Sequence, residues 1–261
     1  MKIIGRNPVY EALVAKARLK KIYINQDAKI DQKLKNIIDL STNQGVLVTF
    51  KTKRFINKLA QNPMHQGVLA IKEDSGEISL KVFLKRIENE IFDNKDLKIS
   101  NDTKEKEAIK IQFPFLLYIR DAYNEFNVGA IIRSAEAAGV DAVIIPPKLE
   151  ITPNMVRAAM GATEHLVIIH ENLTQTIKQV KLLGFKTVGI ELTGKEYYFD
   201  SDLSGAILLI VGGEDKSLSP ELEKKVDCFV KIPMLGKVNS LNMSVAASIV
   251  MFEKVKQEKI F

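Results

Sequence analysis

Short, almost wholly apolar runs recur through the second half of the chain: FLLYIR, DAVIIP, LVIIH, KTVGIEL, AILLIVGG and CFVKIP, separated by stretches of helix length. Runs that are apolar on both side-chain faces suit strands of a parallel sheet covered by helices, so this half reads as α/β. The first 72 residues follow another rhythm. Strand-like KIYIN (21–25), VLVTF (46–50) and VLAIK (68–72) alternate with helical patterns near 7–15, 30–40 and 53–60, which predicts a small α/β module. Residues 73–112 crowd charges together, ending in the poorly patterned DNKDLKISNDTKEKEAIK. That composition buries too little apolar surface to offset ordering entropy and reads as a linker with one short helix near 79–91. The predicted organisation is therefore an accessory module at 1–72, a charged linker at 73–112 and a main domain at 113–261. Its last segment, Leu241 to Lys256, has an amphipathic helical pattern with Ser244, Ala246, Ala247 and Ser248 along one side. Such small side chains permit close approach of a partner helix, within the chain or across a dimer.

Charge alters the reading of the first module. Residues 1–72 carry 14 Lys and Arg against 4 acids, whereas 73–112 carry 8 against 10 and the remainder 16 against 18. A compact module with that imbalance attracts polyanions, because each cation that neutralises a phosphate releases a counterion; a solvated lysine face is the other reading. The start MKIIGRNPVYEAL lacks an apolar run of signal-peptide length, and no stretch of about 18 apolar residues could span a bilayer, so a cytoplasmic protein is expected. The single cysteine, Cys228, sits in an apolar run as a small core residue. His65, His165 and His170 have no metal-ligand spacing and are read as structural.

In open α/β sheets, ligands gather beyond the carboxyl ends of strands. Three polar clusters follow apolar runs. In NVGAIIRSAEAAG (127–139), Asn127 and Gly129 fall at the expected strand-to-helix turn, with Arg133 near the first helical turn, where a guanidinium and backbone amides could meet a phosphate. In VGGEDKSLSPELEKK (211–225), Gly212 and Gly213 end a strand, Glu214 is a pocket-facing or helix-capping acid, and Ser219 with Pro220 matches a helix N-cap and first position. This is neither a Walker A sequence nor GxGxxG. In IPMLGKVNSLNMSVAAS (232–248), a strand end and a turn at Gly236 lead to Ser240 and Asn242 at a helix start, where Ser240 could serve as cap. Singly, none of the three identifies a reaction.

In this order, NxGAxxRxA, then GGE after a strand, then IPM followed by SLN closely resemble the three motifs of the SpoU RNA methyltransferases, which are TrmH-like. AAMGATEHL (158–166) and VDAVIIP (140–146) resemble that family's intervening elements, and GRNPVYEAL (5–13) with HQGVLA (65–70) resembles its accessory RNA-binding module. The resemblance is closest to the branch that methylates guanosine in 23S ribosomal RNA. It implies a trefoil-knotted SPOUT methyltransferase domain with a parallel sheet, preceded by a small α/β domain of ribosomal-protein-like fold. It further implies S-adenosylmethionine as cofactor, RNA as partner and a homodimer. By position, Gly212, Gly213, Ile232, Met234 and Leu241 match residues that hold the cofactor, while Asn127, Arg133, Glu214, Ser240 and Asn242 match catalytic or substrate-orienting ones. Transfer RNA as substrate, and a non-catalytic RNA-binding or ribosome-assembly protein, are the alternatives.

The reaction suits those residue types, because an activated sulfonium methyl requires chiefly that a ribose hydroxyl be aligned and its proton accepted. An arginine surrenders its proton reluctantly, so Arg133 is read as orienting the hydroxyl and its neighbouring phosphate. The chain departs from the family pattern in two places. Between Asp121 and Gly129 three residues look inserted, so that Asn127 or Asn124 can be the motif asparagine, and Asp215 and Ser217 stand where glycines are common.

Overall fold

The computed structural model describes residues 2–61, 65–72, 78–120 without 97–112, 123–212 and 219–258, and the side chains of 90–96 are not among those described. In chain order the first elements are β1 (Lys2–Ile4), α1 (Arg6–Val14), β2 (Leu19–Asn25), α2 (Gln32–Asn43), β3 (Leu47–Lys51), α3 (Lys53–Ala60), β4 (Val68–Lys72) and α4 (Leu80–Asp96). They are followed by β5 (Phe115–Arg120), α5 (Glu125–Ala137), β6 (Ala142–Ile145), α6 (Pro153–Ala158), β7 (Val167–His170), α7 (Leu173–Leu182) and β8 (Lys186–Ile190). The last are β9 (Glu196–Tyr197), β10 (Ile207–Gly212), α8 (Pro220–Glu223), β11 (Cys228–Lys231) and α9 (Met243–Gln257). Residue contacts divide the chain into two compact units. One comprises Met1–Gly76, Asn124–Arg133 and Ile151–Leu166; the other comprises Glu77–Tyr123, Ser134–Glu150 and Val167–Phe261.

The first unit holds a four-stranded sheet in the order β1-β4-β2-β3, with β2 and β3 parallel and β4 antiparallel to both its neighbours. One face buries Ile3, Val9, Leu13, Ile22, Ile24, Leu34 and Ile37 beneath α1 and α2, and Val156 of α6 joins the same cluster. The segments of higher sequence number are held here by charge and close packing. Lys72 Nζ meets Glu164 at 2.7 Å and His165 meets Glu11 at 3.6 Å. Within this unit Gly129 of α5 faces α6, and a Cβ there would lie 2.4 Å from Ala158 Cβ and 2.6 Å from the Met155 carbonyl. The absent side chain is thus what lets the two helices touch.

On the opposite face α3 covers Ile4, Ile56 and Leu69. His65 secures the loop before β4. Its Nδ1 accepts the Gly67 amide at 2.8 Å and its other ring nitrogen contacts Asn57 Oδ1. Burial, with Lys53 nearby, pushes the His65 pKa down. A folded-state pKa below the unfolded value makes the neutral ring a stabilising group above the unfolded value, about pH 6.5, and that stability is lost as pH falls through the folded value. The urea midpoint is therefore expected to fall between pH 7.5 and pH 5, and His65→Gln should flatten part of that dependence; an unaltered profile in the variant would remove His65 from the account.

The second unit is built on seven parallel strands in the order β7-β6-β5-β10-β8-β11-β9. β5 and β6 are buried along their whole length and β10 up to its final glycine, as both-face burial requires. The helix expected inside the charged linker exists as α4, and it is not a tether. Leu80, Phe83, Leu84 and Ile87 are buried in the core of this unit with Leu116, Ile144 and Leu208. Their i, i+3, i+4, i+7 spacing gives the helix an apolar stripe that its charged neighbours conceal in the composition. The small side of α9 has a partner helix within the chain, where Ser248 Oγ donates to Ser134 Oγ of α5 at 2.8 Å.

Candidate functional site

Because all seven strands run the same way, the carboxyl ends of β5, β10, β8 and β11 leave one edge of the sheet. Gly212 ends β10 at φ +131°, and a Cβ there would lie 1.9 Å from the Arg120 carbonyl oxygen. Only glycine fits that backbone. Arg120, the buried last residue of β5, donates from Nη2 to the Gly212 carbonyl at 3.2 Å and lies 3.9 Å from Glu191, just past β8. Burial raises the Glu191 carboxyl pKa while Arg120 opposes that rise. These two ionisable groups belong to no motif; the available signal was a charge closing the apolar runs FLLYIR and KTVGIEL.

Gly212→Ala is expected to destabilise the protein by on the order of 3 kcal/mol, combining strain with steric overlap in a tightly packed strand. Urea unfolding measures it, and a wild-type midpoint would show that the backbones do not approach so closely.

Ile232 and Met234 leave the end of β11 half-buried, and Ser240, Leu241 and Asn242 are exposed ahead of α9. The cap of α9 is Asn242, not Ser240: Asn242 Oδ1 accepts the Ser244 amide at 2.8 Å and its hydroxyl at 2.7 Å. Leu235, Val238 and Leu241 are 97%, 68% and 38% exposed, an unusual density of bare aliphatic side chains in one loop. The S-adenosylmethionine implied by the resemblance asks for apolar contacts to its purine and for backbone approach without side chains. The exposed aliphatic loop and the Cβ-free end of β10 fit both demands. Gly213 and Glu214, with Asp215 and Ser217, lie outside the described residues.

In the other unit, α5 begins earlier than the sequence pattern implies. Asn124 caps it, Oδ1 accepting the Phe126 amide at 2.9 Å and the Asn127 amide at 3.4 Å. Asn127 and Gly129 consequently lie inside the helix and not in a turn, Asn127 buried, while Arg133 is an exposed residue two turns further on. The competing asparagines thus have different work: Asn124 satisfies helix amides, and Asn127 is held inside. The amides read as candidate phosphate ligands are already occupied by that cap. Ser219 and Pro220 start α8 as predicted, Ser219 capping the Leu222 amide. Cys228 is half-buried with its thiol pKa raised by burial, which suits a packing residue.

Family comparison covers both parts of the chain. Residues 114–252 match the SpoU rRNA methylase family, and residues 2–75 match the RNA 2′-O ribose methyltransferase substrate-binding domain. A Staphylococcus aureus (strain MSSA476) chain named for the TrmH family of tRNA/rRNA methyltransferases is 33% identical over 254 residues, covering 96% of this chain and 94% of its own. Among solved structures, an AdoMet-bound rRNA methyltransferase from Sinorhizobium meliloti superposes with a TM-score of 0.71 at 21% identity, covering 98% of this chain and 86% of that one. The A. aeolicus TrmH/SpoU tRNA-modifying enzyme gives 0.51 at 24% identity, covering 67% and 85%. The seven-stranded parallel sheet and separate small N-terminal domain are the SPOUT-type architecture of those enzymes. The chain belongs to the SpoU/TrmH family of S-adenosylmethionine-dependent RNA 2′-O-ribose methyltransferases.

Proposed function

We propose that this protein transfers a methyl group from S-adenosylmethionine to a guanosine ribose 2′-hydroxyl of 23S ribosomal RNA, acting as a cytoplasmic homodimer. The observation that carries the ribosomal substrate is coverage: the rRNA enzyme matches nearly the whole chain, whereas the tRNA enzyme matches two thirds of it. The strongly basic first 72 residues then supply an extra RNA contact. Exposed Val245 and Phe252 on α9 support the dimer, since an apolar face gains by being covered. The choice of guanosine rests on the motif resemblance alone.

In this reading Gly212, Gly213, Ile232, Met234 and Leu241 hold the cofactor, which supplies an activated methyl when bound. Gly212 admits it by having no side chain, and Leu241 contributes apolar contact. Asn127, Arg133, Glu214, Ser240 and Asn242 act on the RNA ribose. Arg133, exposed and carrying a planar guanidinium fork, orients the 2′-hydroxyl and the adjoining phosphate, which lowers the entropic part of the barrier. Asn127 is fixed by burial and Asn242 by its cap.

The test is methyl transfer from radiolabelled cofactor to total RNA lacking the modification, followed by mapping of the labelled ribose. Label at one guanosine of large-subunit RNA is the expected result. Label in transfer RNA instead would keep the chemistry and replace the substrate.

A further inference from the structure

One face of the N-terminal sheet gathers aromatic rings and cations. Lys21 and Tyr23 of β2 are in register with Leu47 and Thr49 of the edge strand β3, so their side chains stand on the same side. Phe55, projecting from α3, meets the Tyr23 ring at 5.3 Å between centroids with the planes tilted by 54°. A cation flanks each ring. Lys21 Nζ lies 5.4 Å from the Tyr23 centroid and Lys51 Nζ lies 5.4 Å from that of Phe55. Phe55 is 39% exposed and Leu47 58%, and Lys53 and Arg54 are exposed at the start of α3. No acid occurs on β2, β3 or α3, and two of the module's four acids are engaged elsewhere, Glu11 with His165 and Asp31 with Arg6.

We propose that this Tyr23–Phe55 pair, with Lys21, Lys51, Lys53 and Arg54 around it, is a stacking platform for unpaired RNA nucleotides. A base presents an apolar face with a phosphate a few ångströms away, which is the chemistry this surface complements: rings for the base, ammonium groups for the backbone. A duplex offers phosphates but hides its base faces in the stack, so aromatic rings here favour a loop or bulge over a paired stem. The inference rests on the RNA methyltransferase reading and narrows it, since it makes an unpaired segment of the RNA part of what is recognised.

The experiment uses the full chain without cofactor, a hairpin with 2-aminopurine in an unpaired loop, and a fully paired duplex of the same length. Wild type should bind the hairpin with quenched fluorescence. Phe55→Ala, at an exposed position where folding is little at risk, should weaken hairpin binding by about tenfold or more and abolish the quench, leaving duplex binding unchanged. Lys51→Gln should lower the slope of log affinity against log salt by about one. Equal losses on hairpin and duplex, or no loss for Phe55→Ala, would overturn the platform. So would an unaffected RNA affinity accompanied by Phe55-dependent binding to phosphatidylglycerol vesicles, which would mark a membrane-facing surface. Because binding is read without methyl transfer, a stacking signal with no transferable methyl would defeat the reaction and leave the platform standing.

Discussion

Arg133→Ala should reduce methyl transfer by about 10²- to 10⁴-fold while leaving the affinity for S-adenosylmethionine within a few-fold of wild type. Arg133 is exposed on α5 and its side chain supports none of the described cores, so the fold should survive and the loss be catalytic. Arg133→Lys separates the two possible contributions. A lysine retains the charge but not the planar fork, so partial recovery would mean that charge near the phosphate dominates, and none would mean that bidentate orientation does. Isothermal titration with the cofactor and single-turnover transfer give the two readouts. Full turnover in Arg133→Ala would remove this residue from the mechanism.

The second large effect concerns stability. Lys254 is fully buried, its Nζ donating to Glu258 at 2.6 Å, to the Gly205 carbonyl at 2.8 Å and to the Leu203 carbonyl at 3.3 Å, 5.6 Å from the Phe115 ring centroid. Glu258 is also almost wholly buried and accepts the Gly205 amide at 2.9 Å. Burial pushes the lysine pKa down, and Glu258 opposes that shift. Lys254→Met should cost about 3–5 kcal/mol, because it strands a buried carboxylate and two carbonyls, whereas the double variant with Glu258→Leu should recover much of the loss. Urea unfolding of the three proteins measures both. If the single variant lost under 1 kcal/mol, the pair would be no anchor of the 203–205 loop.

How much of this was legible from the residues differs by element. Strands β5, β6 and β10 stood out because both faces are buried, which leaves an unbroken apolar run. β1 and β9, three and two residues long, are too short for any periodicity to register. The core role of α4 was hidden because its apolar stripe is diluted by charges on the exposed side. Lys254 in an amphipathic helix reads as a surface residue until Glu258 and two carbonyls are seen to enclose it. The three motif clusters were visible by order and residue type, but the division of labour between Asn124 and Asn127 was not, because the same side chain suits a cap and an interior polar contact. Likewise Arg120 and Glu191 are neighbours only through the pairing of β5, β10 and β8.

That pairing also sets an order of events at the ribosome. β10 lies between β5 and β8, yet it is synthesised after β5 through β9. Until residue 212 has left the exit tunnel, β5, with only β6 and then β7 joined on its other side, presents a bare edge, and β8 and β9 have no neighbour in the sheet, because β11 follows β10 in the chain. At about 5–20 residues per second that exposure lasts for seconds after β5 emerges. Unpaired apolar strand edges invite pairing with other chains. A late central strand therefore delays the closing of this sheet, while the N-terminal module, whose four strands are complete by residue 72, can assemble its sheet far earlier.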